Sequence, residues 1–505
     1  MKWALATLCV ILLAPLALVD VPPLLDYPNH LARAAVLASG GTDPVLARMY
    51  ASHWAIIPNL GIDLALLPLL HVLPIHLAGR VVVGCAILLP VFGTIAYSRA
   101  TFGTRSAWPL ASGLVAYNAT LLLGFVNFVA AIGIALLLAA FWITWRDYAP
   151  GRAMVLSIIG TAALFFCHLM GLVFFCALIA GYELQWIRAH RSDRAAMATR
   201  IATLLPMSVL PLGLYLLSPL ASLSADAEFL PLAEKARQLA FPFVNYVLPL
   251  DIATAWAVGA FLLACLAKGR YRVTPGSGAA LLAVGALYLG APWVFKGTYF
   301  FDTRFAIMLG FLLFAAVMPT GMPRVATFAA VTAFTLLFCV RMAIVGLAWH
   351  AHRQDVADMR AVIATVTPGS RVFVASVSPE EAPDYWRNGP LSRRLSNGIR
   401  TDLHLPALLL IERRAYWPFL FDNPSQQPVE TLSPYRELAD RAGSLPNHGV
   451  LAARGAVDLC AYAYLLLLEA DAEPDLAHFA ADRLVLVARS NFVALFRVRR
   501  SACAS

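Results

Sequence analysis

The sequence predicts a polytopic α-helical membrane protein carrying a C-terminal α/β domain outside the membrane. Three observations carry this expectation. Sixty per cent of the 505 residues are hydrophobic and only 13% are charged, against about 25% charged in soluble globular chains. Mean hydropathy is +0.72, and the apolar residues come in runs of about 17–25, the length that crosses a bilayer. The charge is also unevenly placed. Residues 1–350 hold 21 basic and 12 acidic side chains, whereas 351–505 balance at 17 of each. A cytosolic enzyme and a disordered chain are excluded. The basic excess reports topology rather than nucleic-acid binding, since no basic patch with interleaved aromatics occurs.

The basic clusters thread the chain through the bilayer. Arg99/Arg105, Arg146/Arg152, Arg188/Arg191/Arg194/Arg200, Lys268/Arg270/Arg272 and Arg324 lie in short connections, which the positive-inside rule places in the cytoplasm. Two clusters on one side need an even number of crossings between them. Residues 153–187 are therefore read as two helices hinged at His168-Leu169-Met170-Gly171. Residues 55–97 are read as one span, 77–97. The map has about eleven spans: 3–19, 77–97, 106–122, 127–145, 153–167, 170–187, 200–217, 247–267, 277–295, 304–319 and 323–347. The N-terminus is expected inside and 351–505 outside. No clear A-x-A site follows the first run, which is read as a span rather than a cleaved signal.

This gives a transmembrane module over 1–350, with a first external loop at 20–76, and an α/β domain over 351–505. The loop is expected to hold two helices lying on the membrane surface, 26–39 and 59–72. In the C-terminal domain, 371–377, 461–468, 484–488 and 492–498 read as strands. The last two flank Ser490-Asn491, a hairpin signal. Residues 404–416 and 474–482 read as helices. No GxGxxG, P-loop or GxSxG occurs. Six cysteines fall in apolar runs, where a thiol behaves as a small hydrophobe. Cys460 and Cys503 lie beyond them, and the sequence leaves their pairing open. No Cys/His metal spacing exists.

Ionisable groups at membrane level are costly, and so are functional candidates. The expected outer ends collect them. In Leu24-Leu25-Asp26-Tyr27-Pro28-Asn29-His30-Leu31-Ala32-Arg33, a carboxylate precedes a Pro-started helix, and positions 26, 30 and 33 share a face. Asp26 and His30 are the catalytic candidates, with His30 and Arg33 expected to keep Asp26 ionised; the plain alternative makes Asp26 a helix cap. Lys296, Asp302 and Arg304 open span ten, where Arg304 suits a phosphate and Lys296 adds charge. The alternative is an Asp302–Arg304 pair that neutralises itself. Arg33, His168 and Arg341 complete the candidate binding set. Packing accounts equally for His168, snorkelling for Arg341 and a helix hinge for Asn127.

This layout resembles the GT-C fold of integral-membrane glycosyltransferases that use polyprenyl-phosphate sugars. It matches in one span, a long external loop with an early acid (Asp26 in LLDYPNHLAR), many further spans and an extracytoplasmic α/β domain. The GFVNF, CHLMG and FDTRFA stretches look like those of uncharacterised bacterial members. The resemblance implies an inverting sugar transfer from a polyprenyl-phosphate donor to an extracytoplasmic glycan, lipid or protein. It implies a multi-pass protein of the bacterial inner membrane with a periplasmic C-terminal domain. It gives Asp26 the role of base or metal-associated acid, and Arg304 that of phosphate ligand. The paired acids of several families are missing beside Asp26, so no metal ligands are assigned and a divalent metal stays open. The competing reading is a non-enzymatic lipid or polysaccharide transporter, which calls for midplane charges and inverted repeats; no repeat is visible. A membrane O-acyltransferase would need a histidine deep in a span.

Overall fold

The computed structural model describes residues 2–377, 389–443, 458–473, 475–476, 483–499 and 503. They form two compact units: Met1–Pro15, Ala55–Ile62 and Val81–Val345 make the first, and Leu16–Trp54, Asp63–Arg80 and Gly346–Ser505 the second.

Seven helices among the described residues are long and apolar enough to cross a membrane: Ile75–Phe102, Val126–Trp145, Pro150–Cys167, Leu169–Ala189, Arg194–Leu217, Leu248–Ala267 and Arg324–Ile363. Lys2–Ala17, Gly61–Leu70, Pro275–Gly290 and Thr303–Ala316 are shorter apolar helices. The hinge expected within 153–187 falls at His168, whose extended backbone separates the two helices. The span expected over 106–122 is not a continuous helix. Trp108–Val115 is a 3-10 helix, and Ala119–Leu122 a separate turn capped by Asn118. Ser112 donates to the Pro109 carbonyl and Asn118 to that of Val115. These side-chain bonds compete with the α-helical ladder, which hydropathy does not register. Arg324–Ile363 is one helix of 40 residues, about 60 Å long at 1.5 Å per residue. It runs without a break through the 350/351 boundary expected from composition.

Small residues set helix spacing in the first unit, as is usual where lipid offers no hydrophobic drive. A Cβ on Gly133 would lie 2.3 Å from the Leu89 backbone, and one on Gly181 would lie 2.3 Å from the Gly276 carbonyl. The arginines near the expected inner ends are not idle. Glu183 is buried and accepts from Trp142 at 2.7 Å and Arg200 at 2.5 Å, while Arg200 also reaches Asp147 at 2.7 Å. A buried carboxylate persists only with such partners.

The second unit is built on a four-stranded sheet in the order Val372–Ser376, Tyr464–Leu468, Val493–Val498, Leu484–Arg489. The first pair is parallel and the others antiparallel, with the last two strands joined as the expected hairpin. The two central strands are buried almost throughout. The helix expected over 404–416 shrinks to a 3-10 turn, Leu405–Ala407, and Leu408–Arg413. The helix expected over 474–482 lies outside the described residues except at 475 and 476, which are not helical. Cys460 and Cys503 form a disulfide with Cα atoms 5.6 Å apart. A pairing invisible to local patterning joins Tyr50–Ser52 to Val429–Thr431.

Candidate active site

Asp26 begins the Tyr27–Ser39 helix, with Pro28 in the first turn and Gly40 closing it in a left-handed conformation, the usual asymmetry of helix ends. Asp26 occupies the cap position, yet its side chain makes no capping hydrogen bond. Its Oδ1 lies 3.2 Å from Nδ1 of His404 instead, with Asp26 16% exposed and His404 1% exposed. The capping reading therefore lacks its hydrogen bond.

The helix is not a surface helix, as amphipathic patterning suggested. Tyr27 through Ala34 are all buried, because the second unit supplies partners for their polar groups. Asn29 donates to the Phe419 carbonyl at 2.7 Å and accepts from the Phe421 N–H at 2.8 Å. Arg33 grips Asp63 through two parallel bonds of 2.8 and 2.7 Å and also donates to Gln427. Both members of the Arg33–Asp63 pair are fully buried.

The face shared by 26, 30 and 33 therefore carries less positive charge than expected. Arg33 is neutralised by Asp63. The His30 imidazole is buried against the Phe421 ring; burial first, then Arg33 and His404, hold its pKa well below the ordinary 6.5. A base whose folded pKa is depressed costs stability as pH falls below its unfolded value. Wild-type stability should accordingly fall below pH 6.5 by up to about 1.4 kcal/mol per pH unit from this group. His30→Gln should flatten that slope, measured as melting temperature between pH 7 and 5; parallel curves would contradict it.

The remaining candidates lie in the first unit. Asp302 caps Thr303–Ala316 by accepting from the Thr303 N–H at 2.7 Å. Its charge partner is Lys235, at 3.5 Å, rather than Arg304 as in the alternative self-neutralising reading. The buried Arg304 donates to the carbonyls of Tyr299 and Phe300 at 2.8 and 3.0 Å. Its guanidinium lies 4.8 Å from the Phe125 ring centre and 5.9 Å from that of Phe128. His168 packs on the same aromatic group, 5.5 Å from Phe128, and its Nδ1 accepts from the Met170 N–H. Arg304 and His168 are thus brought together around one aromatic ring.

Lys296 and Arg341 go elsewhere. The Lys296 ammonium donates to the carbonyls of Leu220 and Ala221 at 3.0 and 3.3 Å. Arg341 does not snorkel: it donates to Asp251 and to the Phe243 carbonyl, each at 2.7 Å. Nor is Asn127 a hinge. It clamps the start of Gly61–Leu70, donating to Asn59 at 2.8 Å and accepting from the Ile62 N–H at 2.6 Å.

Sequence reasoning passed over His404, which carries no spacing signal, and Asn29, whose place between Pro28 and His30 reads as helix surface. Asp63 lies within the expected 59–72 helix and carries no motif. Among the described residues, no three His, Cys, Asp or Glu side chains form a group that could hold a metal ion, so none is assigned.

No family model matches the chain, and no curated protein matches it. A solved structure does. It is the crystal structure of ArnT from Cupriavidus metallidurans bound to undecaprenyl phosphate. The likeness covers 98% of this chain and 97% of ArnT, with a TM-score of 0.53 at 13% sequence identity. At that identity the likeness speaks for the fold, and with the apolar helices it leads to one conclusion: the chain is a polytopic membrane protein of the GT-C fold.

Proposed function

We propose that this protein is a membrane glycosyltransferase that moves a sugar from a polyprenyl-phosphate donor to an acceptor on the outer face of a bacterial inner membrane. The observation that carries the reading is Asp26. It is a partly exposed carboxylate in a cap position that does no capping, within a GT-C fold whose neighbour ArnT binds undecaprenyl phosphate. The basic clusters support an inner N-terminus and an extracytoplasmic C-terminal segment. The Cys460–Cys503 disulfide supports an oxidising compartment for the latter. An alkaline phosphatase fusion after Gln354 should be active; an inactive one with a bright cytoplasmic reporter would reverse the orientation.

In the proposed reaction the acceptor oxygen attacks the anomeric carbon while its proton passes to Asp26. The new C–O bond forms as the bond to the lipid phosphate breaks, and the phosphate oxygen departs with the electron pair. One displacement inverts the anomeric centre. Phosphate is already a good leaving group, so the step needs no second acid. Arg304, in the first unit, is separately proposed as a ligand of lipid phosphate, with His168 beside it. His30, neutral and packed on Phe421, orients Asp26 or the acceptor. Arg33, Lys296, Asp302 and Arg341 have protein partners and are assigned to holding the fold.

Arg304→Lys tests the phosphate role. An ammonium cannot reproduce the planar fork, so donor affinity and turnover should both fall, measured with a radiolabelled polyprenyl-phosphate sugar and purified protein. Unchanged donor binding in Arg304→Ala would remove Arg304 from donor binding.

A further inference from the structure

The contact between Asp26 and His404 goes beyond a carboxylate acting alone. His404 is 1% exposed and lies behind Asp26, which is the partly exposed member. The imidazole is packed edge-on against Phe421 and Trp417, at 5.2 and 5.9 Å between ring centres. These rings hold it in place. Its Nδ1 lies 3.2 Å from Asp26 Oδ1, within ion-pair distance, and among the described residues neither ring nitrogen makes a hydrogen bond. A histidine kept only for packing normally has its buried nitrogens satisfied, because an unmet polar atom costs stability. The charged or titratable groups facing His404 are Asp26 and His30. His30 carries no positive charge to compete for the carboxylate, and Arg33 is spent on Asp63.

We propose that His404 is the positioning residue of Asp26. A small turn of the partly exposed carboxylate lets Oδ1 accept from Nδ1–H, which fixes the carboxylate rotamer and leaves Oδ2 to receive the acceptor's proton. His404 itself neither gains nor loses a proton in the step. The proposal rests on the glycosyltransferase reading for its catalytic consequence, but the contact itself can be read without activity.

Two measurements test it. The first is the imidazole ¹⁵N spectrum of the purified full chain with labelled histidine, assigned with His404→Asn. In spectra recorded at alkaline pH, the imidazole proton of wild-type His404 should sit on Nδ1, and in Asp26→Ala that preference should disappear. A proton on Nε2 in wild type, or an unchanged tautomer in Asp26→Ala, overturns the pairing. The second measurement compares three variants. An asparagine amide stands where Nδ1 stands, whereas a glutamine amide stands nearer Nε2. His404→Asn should therefore keep turnover within about tenfold of wild type, while His404→Gln and His404→Ala lose about 100-fold, the usual cost of a carboxylate about 1 Å out of place. Melting temperatures are recorded for all. If His404→Asn were as poor as His404→Gln at equal stability, His404 would be moving a proton and the positioning role would fall. Three variants at wild-type rate would overturn it too. Should wild type fail to turn over the lipid donor, the glycosyltransferase reading fails, and the pairing stands or falls on the spectrum.

Discussion

Asp26→Asn is expected to lower sugar transfer by roughly 100-fold or more while leaving the melting temperature close to wild type. The two halves of this expectation come from different facts. An amide cannot take the acceptor's proton, so turnover should fall with little change in donor affinity. Stability should hold because Asp26 makes no capping bond that could be lost, and caps are worth only about 1 kcal/mol even where they form. The asparagine oxygen keeps the acceptor that the proposed pairing with His404 needs, so the local geometry should survive. Turnover of a polyprenyl-phosphate sugar by both proteins, with thermal unfolding of each, decides the matter. Equal rates at equal stability would leave Asp26 without a catalytic role.

The second large effect concerns Asp63. Its carboxylate is fully buried and neutralises an equally buried Arg33 through two hydrogen bonds. Asp63→Ala strands the guanidinium away from water, and breaking a buried pair in this way costs about 3–5 kcal/mol. Arg33 sits two turns along the helix that begins at Asp26, so the loss should also loosen the proposed catalytic carboxylate and depress turnover. The paired variant Asp63→Ala/Arg33→Met should recover much of the stability, because removing both charges leaves neither uncompensated. Denaturant unfolding in detergent provides the measurement. A single Asp63→Ala variant as stable as wild type would mean that Arg33 finds water or another acceptor.

Residues whose meaning is local are legible in the sequence. His168 breaks its helix where parity required a hinge, and Ser490-Asn491 turns between two strands as its composition suggested. Asp26 and Pro28 start a helix where they stand. Hydropathy failed at 106–122 because it measures the apolarity of side chains, whereas Ser112 and Asn118 redirect the backbone with single hydrogen bonds. It failed again at Tyr27–Ser39. Asn29, His30 and Arg33 give that helix a polar face, and a polar face reads as a surface unless the fold supplies partners for it.

The sequence by itself determined that the chain spans a membrane, where its apolar runs and basic connections fall, and which strands the C-terminal segment can form. Those properties add up along a window of about twenty residues, so they survive without a fold. Only the tertiary structure decided which charge answers which. Arg33 looked like a phosphate ligand and proved to be the counterion of Asp63. Asp302 looked like the partner of Arg304 and turned to Lys235. His404 had no motif around it and came to rest against Asp26. A buried charge must be met by whatever the folded chain brings within about 3–4 Å of it, and neither spacing nor composition encodes that neighbour.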